Sequence, residues 1–221
     1  MYLQQLSLQN FRSFGKKSFE FSSGLTVIVG PNTIGKTNLL EAVYLLATGK
    51  SFRAKEEKEI ISYEKEITRI KGDSLEIILT TGLVGGQSAP RKKFLVNGVP
   101  KRMVDFLGNL RAALFWPEDL ELVTDSPSVR RKYLDSVLCQ VDREYARCLL
   151  SYEKGVRQRN KLLERIRDEG LPRSQLTFWN QLLIKNGGVL TEKREEYINF
   201  INNGFWTPAR RCYASSVAGG S

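Results

Sequence analysis

The sequence predicts an α/β fold of the P-loop type, followed by a helical second part, on three observations. A short apolar run, Leu25-Thr26-Val27-Ile28-Val29, leads directly into Gly30-Pro31-Asn32-Thr33-Ile34-Gly35-Lys36-Thr37, which fits G-x-x-x-x-G-K-[ST]. Apolar residues then recur at helical spacing from Leu39 to Ala47. From about residue 142 the apolar positions settle into alternating steps of four and three, the period of long helices packed along a seam.

Taken in order, the first thirty residues read as β. Leu6 and Leu8 alternate with polar neighbours, as do Phe19 and Phe21. The run Leu25 to Val29, bounded by glycine on both sides, suits a strand buried on both faces. After the loop, Leu39, Leu40, Val43, Leu46 and Ala47 mark a helix, and Gly49 stands where a left-handed C-terminal cap falls. Ile67 to Lys71 and Leu75 to Thr80 are strand-like. Asn97-Gly98, inside Phe94 to Val99, is the strongest short hairpin signal. Ser126-Pro127 reads as an N-cap followed by proline at the first helical position, opening a helix through Arg130, Arg131 and Leu134 towards Cys139.

In the helical part, one seam runs through Tyr145, Leu149, Tyr152, Val156, Leu163 and Ile166, interrupted by Arg159. Gly170 and Pro172 break it. A second seam runs through Leu176, Trp179, Leu183, Leu190, Tyr197 and Phe200, with polar breaks at Asn186 and Lys193. Two such helices joined by a short turn predict an antiparallel hairpin, which can equally be an ordinary packing unit with no further role. The expected division is an α/β lobe over residues 1–141, a helical lobe over 142–203 and a tail over 204–221. That tail has no acidic residue and no periodicity, and reads as disordered or as a chain that stops before its fold is complete.

Composition narrows the chemistry. With 221 residues and 41% hydrophobic content, the chain can build one sizeable core, or a core with a smaller subdomain. No apolar run approaches the roughly 20 residues of a membrane span, and the N-terminus lacks the basic and apolar blocks of a secretory signal, so a cytosolic protein is expected. The absence of histidine excludes imidazole chemistry. Three cysteines without close spacing, Cys139, Cys148 and Cys212, argue for reduced thiols over a zinc site or disulfide framework. A net charge of +10 suits a polyanion such as nucleic acid, though it also serves plain solubility.

The phosphate loop demands particular residues. Glycines let consecutive N–H groups turn inward onto phosphate oxygens, and the following helix start adds its dipole. In such a site Lys36 reaches the β- and γ-phosphates of ATP, and the Thr37 hydroxyl ligates Mg²⁺. Hydrolysis further needs an acidic residue ending a second apolar strand. Ala112-Ala113-Leu114-Phe115-Trp116 followed by Pro117-Glu118-Asp119 is the one candidate, with the proline awkwardly placed between strand and acids. Asn160-Lys161-Leu162-Leu163 lacks the aspartate of a GTPase base-reading motif.

Several segments together resemble the RecF family, relatives of the SMC and ABC-type ATPases. They are Leu8 to Phe14 (Leu-Gln-Asn-Phe-Arg-Ser-Phe), Gly30 to Glu41, Thr48 to Arg53 (Thr-Gly-Lys-Ser-Phe-Arg), Trp116 to Val123 (Trp-Pro-Glu-Asp-Leu-Glu-Leu-Val), Ser126 to Asp135 and Gln158 to Leu163. The resemblance covers roughly residues 1–203. It implies an ABC-type head, in which an α/β ATP-binding lobe carries a helical second lobe, a shortened counterpart of an SMC coiled coil. It implies that Arg12 contacts the nucleotide near its α-phosphate or base; a solvated arginine in a turn is the alternative. Arg130 and Arg131 receive no assignment.

By the same resemblance the protein binds ATP and Mg²⁺, dimerises on ATP, and binds DNA, single-stranded or gapped duplex. With RecO and RecR it helps load the recombinase, with roles in replication and the SOS response. Slow hydrolysis then releases the dimer. The departure lies at the C-terminus: relatives continue into a Ser-Gly-Gly signature, an acidic strand end and a switch histidine. Ser216 and Gly219-Gly220 do not reproduce that signature, which reads as a fragment or as a frame departing near Gly204. The alternatives are a truncated, non-hydrolytic DNA- or partner-binding module and another SMC-related head such as a nuclease or tether. A small-molecule P-loop kinase would leave the helical hairpin unexplained.

Overall fold

The computed structural model describes residues 2–204 and divides into two units, 1–143 and 144 onwards. In the first unit the strands β1 (Gln5–Phe11), β2 (Phe14–Glu20), β3 (Ile67–Gly72), β4 (Leu75–Thr80), β7 (Lys92–Val96) and β8 (Val99–Lys101) form one antiparallel sheet. Their order is β2-β1-β3-β4-β7-β8. Between β4 and β7 a two-stranded ribbon, β5 (Leu83–Val84) and β6 (Gln87–Ser88), stands apart from that sheet. Helix α1 (Lys36–Thr48) covers one face, where Leu39, Ala42, Leu45 and Leu46 meet Leu6, Leu8, Ile70, Leu75, Ile77 and Leu79 in a continuous buried core. Alternation does the sorting: β3 and β4 bury every second residue on the α1 side and send the others outward.

Local chemistry explains the joints. Val96 pairs with Val99, so Asn97 (φ +53) and Gly98 (φ +76) form the two-residue turn that the Asn-Gly signal predicts. Gly49 (φ +68) ends α1 in left-handed geometry, its N–H bonded to the Leu45 carbonyl at 2.8 Å. Ser126 and Pro127 open α4 (Pro127–Val141) as expected. Short helices α2 (Met103–Phe106) and α3 (Glu121–Thr124) precede it.

Two expected strands are not strands. Leu25 to Val29 runs without a β partner among the described residues, and Leu25, Val27 and Val29 are 87%, 69% and 83% exposed. An apolar run becomes a buried strand only when neighbouring strands supply hydrogen bonds and cover, and the described sheet supplies neither here. Ala112 to Trp116 is likewise outside the sheet. The Gln140 side chain takes the place of a strand neighbour there: the Ala112 N–H donates to Gln140 Oε1 (2.8 Å), and Gln140 Nε2 donates to the Ala112 carbonyl (3.2 Å).

The second unit is the expected helical hairpin, α5 (Arg143–Glu169) and α6 (Leu176–Gly204), with Gly170 (φ +70) at the turn. Arg194 Nε donates to the Tyr145 hydroxyl (2.9 Å), Asn186 Nδ2 to Ser151 Oγ (3.3 Å) and Arg159 Nε to Asn180 Oδ1 (2.8 Å). Partners rise on one helix as they fall on the other, which makes the pair antiparallel. Gly155 packs against α6, where a Cβ would lie 2.8 Å from Leu182 Cδ2. The seam positions Tyr145, Leu149, Leu176 and Leu190 are buried, while Phe200 is open to solvent. Asn186, read as a break in the seam, belongs to it through its bond to Ser151. No described helix is long and apolar enough to cross a membrane. The tail expected over 204–221 lies outside the described residues beyond Gly204.

Candidate nucleotide site and its buried carboxylate

Residues 30–35 connect the extended segment to α1, whose first residue is Lys36. Thr33 (φ +71) and Gly35 (φ +106) adopt positive φ, which bends the chain ahead of α1. Only glycine fits at 35, because a Cβ would stand 2.6 Å from Phe14 Cζ. Phe14 opens β2, so the β1–β2 hairpin supplies the floor beneath the loop.

The first backbone bond into α1 runs from the Leu39 N–H to the Gly35 carbonyl at 2.9 Å. The N–H groups of Lys36, Thr37 and Asn38 therefore have no acceptor within the helix and carry the positive end of its dipole. Lys36 Nζ folds back over the loop, donating to the carbonyls of Gly30 (2.7 Å) and Pro31 (2.8 Å). Gly30, Pro31, Asn32, Thr33, Ile34 and Thr37 are all open to solvent. An ammonium group and converging N–H groups at a helix start can hold a phosphate-sized anion, and the exposed Thr37 hydroxyl is an oxygen donor suited to a hard cation.

Behind the loop lies a group that the sequence reading left without a role. Glu41, one turn into α1, is fully buried. Its Oε2 accepts from Arg12 Nε (3.0 Å) and Arg53 Nε (2.9 Å), and its Oε1 from Arg12 Nη2 (2.7 Å) and Ser51 Oγ (2.6 Å). Arg12, at the end of β1, takes φ +51 to reach it and donates its remaining Nη1 to the Glu59 carbonyl at 2.6 Å. Arg53 also donates to Asn38 Oδ1, and Asn38 Nδ2 donates to Ser13 Oγ at 2.8 Å. Burial pushes the Glu41 carboxyl up, but the bonds from Arg12, Ser51 and Arg53 outweigh it and hold the group below its ordinary 4.5. Two guanidinium groups on one carboxylate leave a surplus positive charge beside the phosphate loop.

Of the residues expected to form the site, Gly30 to Thr37 run continuously into the start of α1, and Arg12 is joined to that helix through Glu41. Gly30 to Ile34 and Thr37 are exposed while Gly35 and Lys36 are partly buried; Arg12 is engaged by Glu41 and the Glu59 carbonyl. The sequence did carry a signal for Glu41: an acid set within the apolar run Leu39-Leu40-Glu41-Ala42-Val43 must be paired once that helix is buried. The acids after Ala112 to Trp116 do not end a strand. Residues 117–120 form a 3₁₀ turn, and Asp119 Oδ2 accepts the Trp116 N–H at 2.9 Å as its cap. Arg130 Nη1 donates to the Asp125 carbonyl at 3.1 Å, a structural contact at the start of α4.

Residues 5–89 match the family described as AAA domain. The DNA replication and repair protein RecF of Natranaerobius thermophilus is 39% identical over 210 residues, covering 91% of this chain and 53% of that protein. Its counterpart in Roseiflexus castenholzii is 34% identical over 252 residues, covering 99% and 64%. A solved structure described as the recombination mediator protein RecF with ATP, of the RecFOR pathway, agrees with a TM-score of 0.79 at 32% identity. That agreement covers 91% of this chain and 55% of the other. The chain spans between half and two-thirds of the length of these relatives. The identity across nine-tenths of its residues, and the shared P-loop fold, lead to one conclusion: this chain belongs to the RecF family.

Proposed function

We propose that the chain is the ATP-binding portion of a RecF-type DNA replication and repair protein. The observation that carries this reading is the curled loop at the start of α1, with Lys36 folded over it, in a chain 39% identical to a RecF. In the proposed complex the loop N–H groups and Lys36 hold the β- and γ-phosphates of ATP, and Thr37 holds Mg²⁺, which neutralises phosphate charge when bound. Arg12, fixed by Glu41, adds positive charge near the α-phosphate or base. The sheet-and-α1 unit over 1–141 is the ATP-binding lobe, and the hairpin over 142–203 is the second lobe.

The wider role follows from the family. Partners are DNA with single-strand gaps, RecO- and RecR-type mediators, and a second copy joined through ATP, acting in the cytoplasm in recombination, recombinase loading and the SOS response. The net charge of +10 supports a polyanionic partner. A second reading, nucleotide binding without turnover, is favoured by one observation: Asp119 caps a 3₁₀ turn instead of ending a strand beside the loop. Titration with a fluorescent ATP analogue and Mg²⁺ tests the site. Lys36→Ala should weaken binding at least about tenfold, equal to about 1.4 kcal/mol; equal affinity in the variant overturns the assignment. A phosphate-release assay on the same sample separates turnover from binding alone.

A further inference from the structure

We propose that the sheet face turned away from α1 binds the phosphate backbone of duplex nucleic acid through Lys16, Arg69 and Lys93. The proposal rests on the reading of this chain as DNA-binding and adds to it the surface. Register places these residues in one row: Lys16 pairs with Gln9, Gln9 with Arg69, Arg69 with Ile78 and Ile78 with Lys93. Directly opposed residues share a face, and this face is the outer one. Leu8, Ile70, Ile77 and Phe94, each adjacent in sequence to a member of the row, are buried on the other side, while Lys16, Gln9, Arg69 and Lys93 are exposed.

Strands about 4.8 Å apart put roughly 10 Å between successive cations and make the row roughly 19 Å long. That length matches about six base pairs of duplex, at 3.4 Å per phosphate along each strand. The neighbouring row contributes Ser18, Ser7 and Lys71, further donors, before reaching Glu76. Glu76 is the acid on this part of the face, and Arg69 Nη1 approaches it at 3.3 Å with both groups partly open to water, so the bond is easily exchanged for a phosphate.

The ordinary reason for lysine on an exposed sheet is protection of edge strands from pairing with other chains. It accounts for Lys16 on edge strand β2. It does not account for Arg69 on β3, which is paired with Gln9 on one side and Ile78 on the other; Lys93 on β7 is paired with Ile78 and lies just beyond the end of β8. Cations spaced along a face that no other described element of the sheet unit covers, with the Gln9 amide between Lys16 and Arg69 and Ile78 between Arg69 and Lys93, are complementary to a polyanion lying across the strands.

The test uses this chain, a fluorescein-labelled duplex, and anisotropy titrations between roughly 50 and 300 mM salt. Three phosphate contacts contribute about 2.7 to the slope of log K against log salt, at about 0.9 each. The triple variant Lys16→Gln, Arg69→Gln, Lys93→Gln should lose that much slope and about two to three orders of magnitude of affinity at 0.1 M salt. A charge-conserving triple, Lys16→Arg, Arg69→Lys, Lys93→Arg, should keep the slope, and Arg131→Gln with Lys132→Gln on α4 should leave it nearly unchanged. A neutral triple variant that folds, shown by circular dichroism, and retains the wild-type slope overturns the surface. So does an equal loss from the α4 variant. Failure of the wild-type chain to bind duplex at 50 mM salt would instead overturn the DNA-binding reading itself.

Discussion

Replacing Glu41 by glutamine should destabilise the first unit severely, although it changes one oxygen to nitrogen. The carboxylate is fully buried and accepts four side-chain hydrogen bonds between 2.6 and 3.0 Å. Glutamine keeps one acceptor oxygen and turns an NH₂ group towards donors, leaving Arg12 and Arg53 without their counter-charge. Removing one partner from a buried ion pair costs about 3–5 kcal/mol, most of it from the charge left behind. In a chain of this size each kcal/mol moves the midpoint about 2–4 °C, so thermal unfolding should begin roughly 6–20 °C lower. Arg53 is 31% exposed against 19% for Arg12, so Arg53→Ala should cost less than Arg12→Ala, about 1–2 kcal/mol. Urea titrations of the three variants and the Glu41–Arg12 double variant form a mutant cycle, with an expected coupling above about 1 kcal/mol. A loss below about 1 kcal/mol in Glu41→Gln would refute the reasoning, because it would mean that water replaces the carboxylate at little cost.

Two further outcomes follow from the same region. The carboxyl of Glu41 is held below its ordinary 4.5, so its contribution to stability is present above that pH and is lost as pH falls through the lower folded value. The difference in urea midpoint between wild type and Glu41→Gln should therefore narrow as pH is lowered from about 7 to about 3, and a constant difference would contradict the pairing. Gly35→Ala should cost about 1–3 kcal/mol, because alanine at φ +106 is strained and its Cβ meets the Phe14 ring. Nucleotide affinity should fall with it in a titration, and unchanged affinity and melting would show that the loop relaxes freely.

What the sequence determined by itself was local or periodic. Asn97-Gly98 dictates a two-residue turn because both positions need positive φ, and Ser126-Pro127 starts a helix because neither residue loses a backbone bond there. The heptad steps after residue 142 required two helices, and the glycine-lysine-threonine loop required a helix start at Lys36. The tertiary structure decided what depends on partners distant in the chain. Leu25 to Val29 has the composition of a buried strand, yet composition cannot supply the neighbouring strands that would make it one. Arg12 and Glu41 stand 29 positions apart, and Ala112 and Gln140 stand 28 apart. No periodicity encodes such contacts, since a buried charge or an unpaired backbone group takes whatever partner the fold brings within about 3 Å. The row Lys16, Arg69 and Lys93 is of the same kind: three unremarkable surface cations in sequence, aligned only by the order β2-β1-β3-β4-β7.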